Sequence, residues 1–197
     1  MHQSIGLAAG VISLVATALY IIAIRNGTTR PNRATWWILT FVGFLVAESY
    51  HASGASFSTM CLAWAYALGS LAIATLSIFK KYGVGGWEGL DKWCLCGVVI
   101  SLALRIIFSN HPTQSLVFNL MIDFLGLVPT FIKAWRDPLS EDKVAWIIGS
   151  AASLLNILAV DQWKFAIYVH PVYFAISNTL LTLILFRRSR IKKSTTK

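Results

Sequence analysis

Apolar stretches of about the length that crosses a bilayer recur along almost the whole chain, at 4–24, 35–52, 58–79, 92–108, 115–134, 144–161 and 166–186. A hydrocarbon core about 30 Å thick is crossed by roughly 20 mainly apolar helical residues, because a helix satisfies its own backbone amides where no water can. This recurrence leaves no room between stretches for a soluble domain. It predicts an all-α, polytopic membrane protein of seven transmembrane helices. Composition agrees: 56% of the 197 residues are hydrophobic, 13% are charged and the mean hydropathy is +0.65. The first stretch has neither a basic leader nor a small-residue cleavage site, so it is expected to be a retained helix and not a signal peptide.

The net charge of +9 raises nucleic acid as a partner, but the placement of the charges excludes it. Fifteen of the seventeen Lys and Arg follow the first, third, fifth and seventh stretches, among them Arg25, Arg33, Lys80, Lys133, Lys143 and Arg187. Arg105 and Lys164 alone lie near the other side. Cytoplasmic loops carry such an excess of positive charge, which predicts a multi-pass protein of the cell membrane with its amino terminus outside and its carboxyl terminus in the cytoplasm. The basic tail anchors that topology and is a candidate contact for anionic lipid headgroups.

Three cysteines, Cys61, Cys94 and Cys96, lie in or beside apolar stretches and cannot build a disulfide framework. Cys94-Leu-Cys96 lacks the spacing and partners of a zinc site, and His2, His51, His111 and His170 are scattered, so neither a metal nor a cofactor is expected. The glycines of segment 82–90 lack the strand and lysine of a phosphate loop and read as an interfacial turn.

An odd number of spans invites a search for an internal repeat around a central linker. A shift of 107 lays Tyr66 on Tyr173, Ser70 on Ser177, Thr75 on Thr182 and Lys80-Lys81 on Arg187-Arg188. A shift of 109 lays Trp37-Ile38 on Trp146-Ile147 and Tyr20 on Pro129, and aligns loops 25–34 and 134–143. The predicted plan is three, one and three: a first three-helix bundle at 1–81, an interfacial loop and linker helix at 82–109, a second bundle at 110–190 and a basic tail at 191–197. Two bundles entering the membrane in the same direction form a parallel repeat able to enclose a central path.

The run Leu127-Val-Pro129-Thr130-Phe-Ile-Lys133-Ala-Trp135-Arg-Asp-Pro138-Leu-Ser140-Glu141, with Trp146 five residues later, resembles the helix end, basic loop and next helix start of the SWEET and PQ-loop transporters. Tyr168-Val-His-Pro171 and Asn178 in the seventh stretch add to the likeness. The resemblance implies two three-helix bundles joined by a linker helix, and alternating-access transport of a small polar solute. The first repeat departs from the family with Tyr20-Ile21 in place of its proline pair and Leu71 opposite Asn178.

Ionisable groups inside hydrocarbon are costly, by roughly 2.5–3.5 kcal/mol, and so mark candidate functional sites. Asp123 lies nine residues into the fifth stretch, near mid-membrane, where it is the first candidate for a proton-coupling group. The alternative is a structural carboxylate bonded to Asn119 one turn earlier or to another helix. Glu48 and Arg105, at similar depth near the outer side, are a candidate ion pair. Asn178 carries an amide suited to hydroxyl-rich or zwitterionic solutes or, alternatively, to bridging helices.

Tyr66, Tyr173, Ser70 and Ser177 are related by the repeat and should face one axis, lining the path or packing helices. Trp146 is a further path candidate, although tryptophans at helix starts also mark the membrane interface. Pro129 and Pro171 free backbone groups where helices can bend and are candidate gates. No His pair, Cys–His pair or paired carboxylates suggest a reaction centre, so an enzyme is not expected. A non-transporting sensor or assembly scaffold on the same fold is the competing reading.

Overall fold

The computed structural model describes residues 1–52, 54–85, 89–108 and 110–187, without the side chains of Leu90 and Pro112. The tail 191–197, and the lipid contact expected there, lie outside the described residues. Among the described residues the chain forms seven α helices and no β strand. They are α1 (His2–Arg25), α2 (Arg33–Ala52), α3 (Phe57–Ser77), α4 (Leu90–Ile107), α5 (Pro112–Arg136), α6 (Lys143–Leu158) and α7 (Phe165–Leu185), with a 3-10 turn at Pro138–Ser140. Each helix covers one of the apolar stretches. Four of them, α1, α3, α5 and α7, are long and apolar enough to cross a membrane. The others are shorter or more polar: α6 has 16 residues, α2 includes Arg33 and Glu48, and α4 includes Asp91, Lys92 and Arg105.

Two helix starts are made by the same device. Asn32 Oδ1 accepts from the amide of Thr35 at 3.0 Å, and Asp142 Oδ1 accepts from that of Ala145 at 2.7 Å. Each satisfies an amide left without a partner in the first turn. Beyond α1 the chain turns through Gly27, whose φ of +75° is open to a residue without Cβ.

α1 packs on α3 and α6, α2 on α3 and α5, and α7 on α5 and α6. Six helices therefore close a ring in the order α1, α3, α2, α5, α7, α6, and α4 lies outside it against α5. Small residues allow the closest approaches, as expected where lipid supplies no hydrophobic drive between helices. A Cβ on Gly6 would lie 2.1 Å from the Ser58 carbonyl oxygen, and one on Gly126 would lie 2.5 Å from Cγ2 of Ile38.

The structure corrects one register of the repeat. Trp36 is 7% exposed and packs towards Trp146, whereas Trp37 is 36% exposed. A shift of 110, not 109, aligns Trp36 with Trp146 and the cap Asn32 with the cap Asp142. The same shift relates two helix contacts, Ala16 against Gly149 and Gly126 against Leu39. Helical phase is the cause: in two adjacent tryptophans only one can face inward, and the cap determines which.

Candidate functional site

The ring surrounds a cavity of about 70 Å³, between the middle of the helices and the end that carries Arg25, Arg33 and Lys143. Its walls are mainly apolar and aromatic, with Thr17, Ser70 and Asn178 as polar lining groups. Tyr66 and Phe174 meet edge to face at 4.6 Å at one end. Tyr20, Trp36 and Trp146 converge at the other, with ring centroids 5.1, 6.3 and 6.5 Å apart.

Beyond Tyr66 lies Asp123, 1% exposed. It stands eleven residues along α5 from Pro112, or about 16 Å at 1.5 Å per residue. Tyr66 from α3 donates to Oδ1 at 3.2 Å and Tyr173 from α7 donates to Oδ2 at 2.8 Å. One carboxylate thus ties together three helices of the ring. Neither bond comes from Asn119, which instead donates across to α2, to Ser49 Oγ at 3.0 Å and the Leu45 carbonyl at 3.3 Å. The alternative of a local Asp123–Asn119 bond is therefore set aside. Asn119 Oδ1 is buried with no hydrogen-bond partner among the described residues.

His170 closes this region from the side away from the cavity. Its ring stacks on Phe174 at 5.4 Å and meets Tyr50 edge-on at 5.6 Å, while Tyr50 donates to the Ile167 carbonyl at 3.2 Å. Pro171, the next residue, is buried inside a continuous α7, as Pro129 is inside a continuous α5.

At the basic end the aromatic cluster is held by Glu141. Its Oε2 accepts from Tyr20 Oη at 2.5 Å and from Trp146 Nε1 at 3.1 Å, while Oε1 pairs with Lys133 Nζ at 2.7 Å. The Glu141 side chain is 0% exposed. Lys133 also donates to the Arg30 carbonyl at 2.6 Å, and Thr29 donates to the Ser140 carbonyl at 2.7 Å. The two loops aligned by the repeat therefore join each other across this end. Arg33 ties in the next connection through the carbonyls of Ser77, Gly83 and Gly85, at 2.7, 2.8 and 2.9 Å.

The remaining expected residues divide clearly. Asn178 and Ser70 line the cavity, but Asn178 Nδ2 donates to Phe174 O at 2.9 Å and Ser70 to Ala67 O at 3.0 Å, both within their own helices. Ser177 bonds to the backbone of Tyr173 and Phe174 and is not part of the lining. Arg105 and Glu48 do pair, at 2.7 Å, joining α4 to α2 away from the cavity, with the Glu48 side chain 65% exposed. In sequence Glu141 and Lys133 are part of a loop motif and a charge count; the burial of Glu141 against a half-buried Lys133 depends on contacts between distant loops. Trp36 was obscured by its neighbour Trp37, and Phe174 carried no polar signal.

No family model, curated protein or solved structure matches this chain.

Proposed function

We propose that the chain is a transporter or facilitator of a small polar solute, working by alternating access between two three-helix bundles. The observation that carries this reading is the cavity inside the six-helix ring, whose lining Tyr66 donates, as Tyr173 does, to a buried carboxylate behind it. Neighbour order supports the two-bundle plan. α1, α3 and α2 are consecutive around the ring, as are α5, α7 and α6, and α4 stands outside as the linker. The seven helices then all span the membrane, α2, α4 and α6 with their polar residues at the ends or against other helices. The bias of Lys and Arg supports an outside amino terminus and a cytoplasmic carboxyl terminus in the cell membrane.

In this scheme the Tyr20–Glu141–Lys133 cluster is the cytoplasmic gate. Opening it separates the two repeat loops and breaks the contacts of Glu141 with Tyr20 and of Lys133 with Arg30. Asp123, at the junction of three helices, is the group that would hold a coupling proton and release it as the helices part. Pro129 and Pro171 are the bending points on either side of it. The likeness to SWEET and PQ-loop transporters points the same way.

Uptake into proteoliposomes of a panel of sugars, amino acids, amines and vitamin precursors tests the proposal. Uptake of at least one solute above that of protein-free vesicles is expected. Solute binding without passage in any arm would favour a sensor on the same fold.

A further inference from the structure

We infer that the solute taken by this cavity is a small organic monocation with an apolar body, of the alkylammonium or quaternary ammonium class, with Asp123 as its counter-charge. The inference rests on reading the cavity as a solute site, and names what that site accepts.

Charge comes first. None of the residues lining the cavity is ionised. Two buried carboxylates flank it, and they differ. Glu141 is neutralised by Lys133 at 2.7 Å. Among the described residues Asp123 has no cationic partner; its two bonds come from the neutral hydroxyls of Tyr66 and Tyr173. One formal negative charge therefore remains beside the cavity, separated from it by the Tyr66 side chain. In an interior of low dielectric its field is felt over several ångströms, so an entering cation is favoured without touching the carboxylate.

The walls supply the second argument. Tyr20, Trp36 and Trp146 converge at one end and Tyr66 meets Phe174 at the other. Aromatic faces carry negative quadrupoles and attract cations within about 6 Å, most strongly where water is excluded. Few polar groups are available to replace the hydration of a many-hydroxyl solute, and those of Ser70 and Asn178 already donate to their own helices. An ammonium group carrying methyl or methylene groups suits such walls. A general attraction for cations is not an explanation, since the chain as a whole carries +9.

The test is thermal unfolding of the full chain in lipid nanodiscs with choline and with its neutral isostere, in which a quaternary carbon replaces the nitrogen. Choline is expected to raise the unfolding temperature saturably, and the isostere to bind about tenfold more weakly or worse. Asp123→Asn, which keeps hydrogen-bonding groups opposite both tyrosines, should abolish that difference. Equal binding of the two compounds, no shift with either, or a preference for choline that survives in Asp123→Asn would each overturn the inference. The comparison of choline with its isostere requires only the unmodified chain, so poor folding of the variant leaves the test intact. Failure of the transport reading looks different: choline would bind to the protein but not cross proteoliposomes. Uptake of a neutral solute without choline binding would overturn the cation site and leave transport standing.

Discussion

Tyr66 and Tyr173, which a sequence shift of 107 lays on each other, donate to opposite oxygens of the same carboxylate, that of Asp123. The carboxylate comes from α5, and α1 has no acidic residue. One carboxylate thus joins α3 and α7 to α5. The bonds also explain how an acidic residue is tolerated there, since buried polar groups are costly chiefly when unpartnered.

Removing one partner from the buried Glu141–Lys133 pair leaves a charge in a site with no exposure. Lys133→Met should therefore cost about 3–5 kcal/mol. The double change Lys133→Met with Glu141→Gln should recover most of that loss, because the amide still accepts from Tyr20 and Trp146. Thermal or denaturant unfolding of the single and double variants checks this; equal losses in both would mean the charge is not what matters.

Trp36→Ala should destabilise the protein by about 3–5 kcal/mol through a cavity next to Tyr20 and Trp146. Trp37→Ala, at a 36% exposed residue, should cost under about 1 kcal/mol. Unfolding of the two variants side by side checks that Trp36, and not Trp37, is the inward-facing ring.

Two glycines separate close approach from open space. Gly6→Ala sets a Cβ 2.1 Å from the backbone oxygen of Ser58 and should force α1 from α3, at a cost of about 1–3 kcal/mol. Gly149→Ala meets nothing nearer than Ala16 at 4.0 Å and should be neutral or stabilising by about 1 kcal/mol. Unfolding temperatures in detergent report both.

Pro129→Ala restores a helical amide and should stiffen α5 between Asp123 and the basic loop. The expected outcome is normal expression with impaired uptake. Unchanged uptake would remove Pro129 from the gating scheme.

The seven helices were legible because apolar length is a local property, and helices α1 to α7 cover the seven apolar stretches. Tyr66 and Tyr173 could be matched in the sequence because segments 66–81 and 173–188 align without insertion. Asp123 stood out as an isolated acid in an apolar run, but its partners could not be read from α5, where Asn119 was the nearest polar neighbour. Trp36 was missed through one residue of register, which the caps Asn32 and Asp142 would have supplied. The burial of Glu141 beside Lys133 was hidden for a different reason. A charged loop is ordinarily solvated, and only the docking of segment 137–142 on segment 26–32 encloses these two side chains.

In the proposed transport cycle, solute passes through the ring at the Tyr66–Asp123–Tyr173 junction and Asp123 carries the coupling proton. Uptake into proteoliposomes by the unmodified chain and by Asp123→Asn, each at two pH values, tests it most directly. Uptake by the unmodified chain should change with pH, and uptake by the variant should be reduced and indifferent to pH. Transport by Asp123→Asn with unchanged pH dependence would contradict it.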